Sequence, residues 1–293
     1  MRESLICLDV GGTEIKAAAV GRDGMLLDGI QYFPADSHAP AGRILDHIAK
    51  IIRTVSPQDA AVAGVHFAFP GPFDYERGIS LMQGQDKYEA LYGLDLRGAM
   101  QRRLPGLKGE TIRFVNDVSA FALGEMHFGR FKALRKVMFL CIGTGCGSAF
   151  GVEGRLADES VPGVPPRGYV YPTPFLDSCI DDEISRRGLM RLTEQILGEP
   201  LDGYALACRI QAGDAKAERC FLMFGERLRD AAALFLPAFR PEGLCIGGQI
   251  TKSAKLFLPP LAAYCRDQGV HLWVTEDTSE MALRGLSLLE QAE

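Results

Sequence analysis

Short apolar runs divided by glycine-containing turns open the chain. The runs SLICLDV, IKAAAV and GMLLDGIQYF are separated by GGTE and GRDG, and this pattern predicts an antiparallel meander of three strands. The period then changes, because the isoleucines and the valine of residues 43–55 fall on one helical face. The rest of this region predicts, in order, a buried strand over 60–69, a short helix over 95–104 with Asp95 as its cap, a strand over 111–115 and a helix over 117–129.

The second half of the chain follows the same scheme. KVMFLCIG, CGSAFGV and RLA predict a second meander whose first turn contains GTG, and GLCIGG predicts a late buried strand. The halves share no visible sequence identity, so this prediction concerns architecture only. Residues 157–178 interrupt the scheme with five prolines and little periodicity, which predicts a long loop around an opening. The predicted helices lie near 179–197, 203–212 and 214–236, with an amphipathic helix at the C-terminus.

Composition and charge are typical of a globular protein and argue against nucleic acid and membranes as its partners. Apolar residues make up 47% of the 293 residues, and the net charge of −5 gives no sign of a basic surface for nucleic acid. The eight cysteines include no CxxC pair, so neither a zinc site nor a redox motif is indicated. The N-terminus lacks the pattern of a secretory signal, and no apolar stretch approaches the length of a membrane span. We therefore expect a reduced, cytoplasmic protein that binds neither nucleic acid nor membrane.

Three glycine-centred turns follow apolar strands, in DVGGT at 9–13, IGTGCG at 142–147 and IGG at 246–248. Backbone N–H groups in such turns can form a concave nest for an anion, but a plain hairpin or strand-end turn would have the same composition. The turns alone do not decide between these interpretations. The chain has no GxxxxGK[ST] sequence, and GTGCGS leads into another strand-like run rather than a helix, which excludes a P-loop and a Rossmann loop.

A carboxylate stands where a predicted strand meets a predicted helix, in FVNDVSAFALGE at 114–125. Asp117 would cap that helix, or it would face a cleft and take a proton from a substrate hydroxyl, and the two roles are compatible. Asn116 beside it would hydrogen-bond another substrate hydroxyl or stabilise the turn.

Other polar or turn positions also have two interpretations. Pro70 and Gly71, in FPGPFD at 69–74, form either an ordinary turn or a backbone wall against a ligand. Asp9 would bond its own backbone at the hairpin turn, or it would orient a hydrated Mg²⁺, which takes few carboxylates and keeps its waters. Lys16 is either a solvated strand residue or a cation near phosphates.

Six motifs occur in order and together span most of the chain: DVGGTEIK, FPGPFD, FVNDV, GEMHFG, IGTGCGSAF and GLCIGG. As an ordered set they resemble the ROK family of sugar kinases. The resemblance implies an α/β protein of the actin-like ATPase (ribonuclease H-like) fold, with two α/β domains and a cleft between them. We expect a small domain over 1–117 plus the C-terminal helix 280–293, and a larger domain over 118–279.

The resemblance also implies a chemistry: transfer of the ATP γ-phosphate to a hydroxyl of a small-molecule sugar, with Mg²⁺, by a homodimer. Asp117 matches the catalytic base and Asn116 a sugar-contacting position, and we add Pro70 and Gly71 to the predicted sugar site. The predicted ATP-binding residues are Asp9, Gly11, Gly12, Thr13 and Lys16, with Thr144 and Gly145 in the second phosphate loop and Gly247 and Gly248 in the adenosine-side motif.

One segment departs from the family pattern. The family carries a Glu-x-Gly-His segment and then a cysteine-rich zinc motif after the second phosphate loop, whereas this chain has no histidine between His127 and His271. The proline-rich stretch 157–178 and then SCIDDEISRRGL stand there instead. Arg167 or Tyr169 would replace the lost sugar contacts. We therefore expect no structural zinc, predict no metal-ligating residues, and leave the sugar unidentified.

Two other functions remain open from the sequence. A transcriptional regulator of the same family would carry an N-terminal DNA-binding domain, for which DVGGT at residue 9 leaves no room. A non-catalytic sugar-binding or sensing protein is favoured by the altered segment and disfavoured by the intact Asp117. Turnover of ATP with any sugar separates a kinase from a sensor.

Overall fold

Two five-stranded mixed sheets organise the chain, one in each of two α/β units. The computed structural model describes residues 3–84, 86–275 and 277–289. The first unit takes the residues up to Lys132 together with those from Ser279 onward, and the second unit takes Ala133–Thr278. None of the helices in the described ranges is long and apolar enough to cross a membrane.

The first unit opens with the predicted meander. Its elements up to residue 128 are β1 (Glu3–Val10), β2 (Glu14–Gly21), β3 (Gln31–Pro34), α1 (Ala41–Val55), β4 (Ala61–Phe69), β5 (Phe73–Asp74), β6 (Ile79–Ser80), α2 (Leu96–Arg103), β7 (Ile112–Asn116) and α3 (Asp117–Phe128). The sheet order is β3-β2-β1-β4-β7, in which β1 to β3 are antiparallel neighbours and β1, β4 and β7 run parallel. Asp95 caps α2 as predicted, since its side chain accepts the Gly98 N–H. The third predicted run is a strand only at its end, and its earlier part forms an isolated bridge from Leu26 to Val20.

The second unit repeats this arrangement. Its elements are β8 (Lys136–Ile142), β9 (Cys146–Val152), β10 (Arg155–Leu156), β11 (Pro174–Phe175), β12 (Ser178–Cys179), α4 (Ile180–Glu183), α5 (Arg186–Leu197), α6 (Gly203–Gln211), α7 (Ala215–Ala233), α8 (Leu236–Phe239), β13 (Gly243–Gly247), α9 (Ala254–Phe257), α10 (Pro259–Asp267) and β14 (His271–Val274). The sheet order is β10-β9-β8-β13-β14, again with three antiparallel neighbours followed by two parallel additions. The two sheets therefore share one topology, as the repeated pattern predicted.

Several elements of the second unit were not predicted from the sequence, among them β11, β12, α9, α10 and β14. α10 begins with two prolines, which break a periodic pattern but are tolerated in the first turn of a helix, where the N–H groups have no intrahelical partner. β14 is a four-residue strand at the edge of its sheet, and its burial shows no clean alternation. Weak patterns of this kind give a sequence-based prediction little to act on.

The C-terminal helix α11 (Ser279–Leu286) returns to the first unit and packs against α3. Gly124 and Gly285 lie at this contact, where a Cβ on either would meet the backbone of the other helix. This packing assigns α3 to the first unit, so the division falls after Lys132 instead of after residue 117, where the sequence placed it. The last part of the predicted C-terminal helix, residues 290–293, lies outside the described residues.

The proline-rich segment 157–178 is anchored to the second unit. Val164, Val170 and Phe175 are buried in the core of that unit. The Ser148 hydroxyl in β9 donates to the Gly168 carbonyl at 2.6 Å and accepts the Val170 N–H at 2.9 Å. The segment is thus held by apolar burial and by paired hydrogen bonds, and its predicted place around an opening stays a prediction.

Candidate active site

Most of the predicted site residues of the first unit collect at one edge of its sheet. β1, β4 and β7 run parallel, so their carboxyl ends lie at the same edge. In this register Asp9 is opposite Ala68, and Phe69 is opposite Asn116. The predicted residues at or directly beyond these strand ends are Asp9, Pro70, Gly71, Asn116 and Asp117.

Asp117 is the first residue of α3 and is partly buried. Loss of contact with water raises the pKa of its carboxyl group from the ordinary value of 3.8. The positive charge of Lys87, two backbone N–H groups and the Asn116 side chain lower the pKa, but the desolvation is the largest effect. A carboxyl group with a raised pKa is a stronger base, which suits it to accept a proton from a hydroxyl.

Asn116 is the N-cap of α3, which corrects the interpretation of Asp117 as the cap. The Asn116 Oδ1 accepts the Val118 N–H at 3.0 Å, and its backbone is extended as a capping residue requires. The Asp117 Oδ1 lies 3.0 Å from the same N–H, from the first position inside the helix. The cap therefore orients α3, while the carboxylate of Asp117 stands at its positive N-terminal end.

Tyr75 links Asn116 to the turn that contains Pro70 and Gly71. The Asn116 amide donates to the Tyr75 hydroxyl at 3.2 Å, and that hydroxyl donates to the Phe69 carbonyl at 3.0 Å. A Cβ on Gly71 would lie 3.3 Å from the same hydroxyl. The sequence did not indicate Tyr75, because an isolated tyrosine after a turn carries no motif.

The carbonyl groups of the first glycine turn are anchored one after another. The Tyr88 hydroxyl donates to the Gly11 carbonyl at 2.7 Å, and the Ser37 hydroxyl donates to the Gly12 carbonyl at 2.6 Å. The Thr13 carbonyl accepts a backbone N–H at 2.9 Å, and the Gly11 N–H closes the hairpin onto a carbonyl at 3.0 Å. Neither Tyr88 nor Ser37 was indicated by the sequence.

Anchoring these carbonyls sets the direction of the N–H groups that follow them. In a trans peptide the C=O and the next N–H point in opposite directions. The Gly12 N–H therefore points away from Tyr88, and the Thr13 N–H points away from Ser37. Within residues 3–84, 86–275 and 277–289 neither N–H has a hydrogen-bond partner. Two adjacent N–H groups of this kind form a nest suited to an anion.

Lys16 and Asp9 face each other across the hairpin. They are directly opposed in the antiparallel register of β1 and β2, so their side chains lie on the same face of the sheet. The Lys16 ammonium donates to the Ser279 hydroxyl at 2.5 Å. Its predicted place near the phosphates therefore stays a prediction, whereas the structure shows that it contacts the start of α11.

A cavity of about 220 Å³ lies beside the first glycine turn. Ser37 and Lys87 are in its lining, and both also contact the turn, Ser37 through its hydroxyl and Lys87 through its side-chain carbons. The rest of the lining is polar or small: His38, Asp86, Glu89 and Ala90. The segment that contributes Lys87 has no periodic pattern, so its place beside the turn could not be predicted from the sequence.

The second glycine turn, in the second unit, is held by the segment that departs from the family pattern. The Gly143 N–H closes the turn onto the Gly145 carbonyl at 2.9 Å, and the Arg186 N–H donates to the Gly143 carbonyl at 2.8 Å. The Asp181 Oδ1 accepts the Cys146 N–H at 2.7 Å. The start of α5 and the acidic residues before it therefore fix the shape of this turn.

Thr144 and Gly145 lie at the tip of this second turn. Because the Gly143 carbonyl points to Arg186, the Thr144 N–H points the other way, and it has no hydrogen-bond partner in the described part of the chain. A Cβ on Gly145 would lie 2.6 Å from the Asp181 carboxylate, so glycine makes this approach possible. Arg187 pairs with the other carboxylate oxygen of Asp181 at 2.5 Å.

Gly247 is the last residue of β13, which pairs with β8, and Gly248 follows it. Gly247 is opposite Cys141 in the parallel register of β13 and β8. Gly248 has a φ of +93°, and a Cβ there would collide with the backbone of Ile142. The structure thus brings the predicted residues Thr144, Gly145, Gly247 and Gly248 to the carboxyl edge of the second sheet.

Metal-ligating side chains do not cluster in the described residues. No group of three or more His, Cys, Asp or Glu that could hold a metal ion is found there. Cys179, the one cysteine in the departing segment, lies 3.4 Å from the Asp182 carboxylate.

The chain is similar in sequence to proteins of a known family. Residues 5–271 match the ROK family. The chain is 26% identical over 281 residues to a glucokinase of Thermotoga maritima, covering 88% of this chain and 85% of that protein. It is 21% identical over 273 residues to the DNA-binding transcriptional repressor Mlc of Escherichia coli, covering 85% of this chain and 66% of the repressor.

The fold is shared with a ROK family glucokinase from Streptomyces griseus solved with glucose and AMPPNP, with a TM-score of 0.71 and 20% identity over 98% of this chain and 99% of that one. This likeness, together with the two mixed α/β sheets, shows the predicted actin-like ATPase fold. The family match covers most of the sequence and both sheets. The chain belongs to the ROK family.

Proposed function

We propose that this chain is an ATP-dependent kinase that transfers the γ-phosphate of ATP to a hydroxyl of a sugar. The observation that carries the proposal is the desolvated carboxyl group of Asp117, placed at the N-terminus of α3 and beside Asn116. The sugar-kinase relatives support the reaction class, because glucokinase and hexokinase are among the names of similar proteins. Their low identity leaves the sugar open.

In the proposed reaction Asp117 accepts the proton of the attacking sugar hydroxyl. The sugar oxygen forms a bond to the γ-phosphorus, the bond from that phosphorus to the β–γ bridging oxygen breaks, and ADP leaves. The reaction is largely a matter of positioning and charge stabilisation, as in other phosphoryl transfers. Asn116, Pro70 and Gly71 are proposed to contact the sugar, and Tyr75 fixes the Asn116 amide for that purpose.

The first glycine turn is proposed to bind phosphate through the N–H groups of Gly12 and Thr13. Their direction follows from the anchored carbonyls, and neither N–H has a hydrogen-bond partner among the described residues. Nucleotide binding by Thr144, Gly145, Gly247 and Gly248 is likewise a proposal. The unpartnered Thr144 N–H supports it.

Mg²⁺ neutralises charge on the phosphates of ATP when it is bound, and Asp9 is the residue that would hold its water shell. Burial raises the pKa of Tyr88, and the negative charge of Asp9 adds to that effect, so the carboxylate lies near the hydroxyl that anchors Gly11. Mg²⁺ typically takes one or two carboxylates together with substrate phosphates and waters. A single carboxylate beside a phosphate turn fits that preference.

The test is a coupled ADP-release assay with ATP, Mg²⁺ and a panel of hexoses, amino sugars and glycosides. Asp117→Asn is expected to lower turnover at least ~100-fold, the usual size of a general-base contribution. Asp95→Asn is the matched control, because it removes one carboxylate from the same unit and keeps a good helix cap. Near-normal turnover by Asp117→Asn would remove this residue from the mechanism.

The same assay separates the kinase from the alternative, a non-catalytic sugar sensor on the same fold. Folded protein that binds ATP and a sugar but releases no ADP with any member of the panel would overturn the kinase proposal and favour the sensor. The homodimer, the cytoplasmic location and the lack of a nucleic-acid partner stay predictions.

A further inference from the structure

Asp86, Lys87 and Tyr88 form a tripeptide beside the first glycine turn, and its first and last residues have an unusual backbone conformation. Asp86 has a φ of +52° and Tyr88 a φ of +55°, and both lie in the left-handed region that side chains disfavour. Non-glycine residues persist there only when their surroundings hold them, and such residues cluster at functional sites. This strain indicates that the tripeptide holds a functional group in place.

Tyr88 fastens the tripeptide to the turn. Its side chain is fully buried, its hydroxyl donates to the Gly11 carbonyl at 2.7 Å, and its N–H donates to the Ser37 carbonyl at 2.8 Å. Ser37 in turn donates to the Gly12 carbonyl. Tyr88 and Ser37 thus lock the tripeptide and the turn into one rigid arrangement.

Lys87 is the residue that this arrangement presents. Its Cδ would lie 3.1 Å from a Cβ on Gly12, so its stem passes directly over the glycine. Its ammonium is close enough to Asp117 for its positive charge to lower the pKa of that carboxyl group. Across the described ranges the ammonium has no hydrogen-bond or ion-pair partner of its own. A partly buried ammonium without a protein partner, held near a base and a phosphate turn, is suited to a negatively charged ligand.

We propose that Lys87 is a further catalytic residue, whose ammonium contacts the phosphoryl group while that group passes from ATP to the sugar. The inference rests on the proposed kinase function and names a residue of that same site. In the proposed step Lys87 neither donates nor accepts a proton. The proton of the sugar hydroxyl goes to Asp117, and the bonding electrons of the broken P–O bond leave with ADP.

The positive charge of Lys87 would reduce an electrostatic repulsion in this reaction. A carboxylate base and an anionic phosphoryl group repel each other, and both must approach the same hydroxyl oxygen. An ammonium close to both the phosphate turn and the base offsets that repulsion, and the hydrogen bonds of Tyr88 hold the backbone that carries it. The groups presented to the Asp117 carboxyl are Asn116 from β7, the backbone N–H groups of α3 and the Lys87 ammonium.

The first test compares Lys87→Met with Lys87→Arg. Methionine keeps an unbranched stem over Gly12 and removes the charge, whereas arginine keeps the charge. We expect Lys87→Met to lower kcat about 100-fold, the usual effect of losing one transition-state donor, with little change in the KM for the sugar. We expect Lys87→Arg to recover part of that loss. Lys50→Met, an exposed lysine of α1, is the matched control.

The pH profile separates contact from a merely structural role. Lys87 lowers the pKa of Asp117, so its removal should move the acidic limb of the rate profile to higher pH. A structural role would lower the rate without moving that limb. Normal kcat in Lys87→Met, or a fall in kcat with an unmoved limb, would overturn the proposal.

A readout without activity keeps this inference distinct from the kinase proposal. The ¹³C resonance of the Asp117 carboxyl group, titrated in the wild type and in Lys87→Met, reports the coupling of the two residues directly. If the wild type turns over no sugar, the kinase proposal fails. An Asp117 titration left unmoved by Lys87→Met then also overturns the role of Lys87, whereas an upward shift supports its placement beside a binding site for an anion.

Discussion

The two glycine turns occupy equivalent places in sheets of the same topology, but different groups hold them. In the first turn two neutral hydroxyls, from Tyr88 and Ser37, anchor consecutive carbonyls. In the second turn a backbone N–H anchors one carbonyl, and the carboxylate of Asp181 takes the Cys146 N–H. The strand order thus determines where a turn lies, and the loops that reach it determine its electrostatic surroundings.

A glycine motif therefore does not by itself determine the structure of such a turn. The glycines allow close approach, but the direction of the N–H groups depends on which groups hold the carbonyls. In the first turn hydroxyl groups hold the backbone carbonyls, whereas in the second turn a carboxylate accepts a backbone N–H. Substitutions at the two turns should therefore differ in how much they lower the free energy of unfolding. They should also differ in whether a second substitution can relieve the steric collision.

The largest effect is expected at Gly248, beside the second turn. Gly248→Ala combines a φ of +93° with a backbone collision, so we expect a loss of about 3 kcal/mol in the free energy of unfolding. Gly269→Ala is the control, since Gly269 also has a positive φ, of +69°, but has open space around it. Urea denaturation of both variants measures the difference. Equal losses would show that the collision at Gly248 is relieved by small movements.

The next effect is expected at Gly11 in the first turn. A Cβ there would lie 2.7 Å from the Glu14 carbonyl oxygen, a backbone atom that cannot turn aside, so Gly11→Ala should cost about 2 kcal/mol. Gly143→Ala, at the other turn, should be within about 0.5 kcal/mol of the wild type because nothing lies near its Cβ. Similar unfolding midpoints for the two variants would contradict this contrast.

A smaller effect is expected from Tyr88→Phe. It removes the hydroxyl that anchors Gly11 and should destabilise the protein by about 1 kcal/mol, the typical net value of a hydrogen bond. Hydrogen exchange of the Gly11 amide, which closes the hairpin onto the Glu14 carbonyl, should also rise because the turn is held less firmly. Tyr92→Phe, at a tyrosine that is 53% exposed, is the control. Unchanged exchange of the Gly11 amide would show that the turn keeps its shape without Tyr88.

The smallest effect is expected at Gly145. The atom that a Cβ would meet belongs to the flexible side chain of Asp181, so Gly145→Ala should cost less than about 1 kcal/mol. Asp181→Ala in the same chain should relieve the collision, and a double-mutant cycle measures this coupling. Strict additivity of the two changes would mean that Asp181 does not press on the turn.

The sequence predicted the strands and helices that have strong patterns. The second strand of the second meander, CGSAFGV, has the bounds of β9, and the cap of α2 was placed at the correct residue. α10 and β14 were missed because a proline pair and a short edge strand resemble interruptions. The boundary between the units was placed too early because α3 belongs with α11, a contact between residues far apart in the chain.

Only some residues of the candidate site could be predicted from the sequence. Glycine turns and the Asn-Asp pair carry local motifs, so Asp117, Gly11 and Gly12 could be named. Tyr88 and Lys87 reach the first turn from a segment without periodicity, in which Asp86 and Tyr88 have a left-handed conformation that no local propensity favours. Tertiary packing decides such contacts, and a single sequence does not record them.

The return of α11 to the first unit has a consequence for how the protein is made. Most of the first unit leaves the ribosome before the second unit, yet its α3 and β4 contact residues that follow the whole second unit, as in the 2.7 Å contact between His66 Nδ1 and the Leu286 carbonyl. Domains generally fold during synthesis in the order in which they emerge. Here the second unit can be complete before α11 has been synthesised, so the unit that carries Asp117 matures after the second unit.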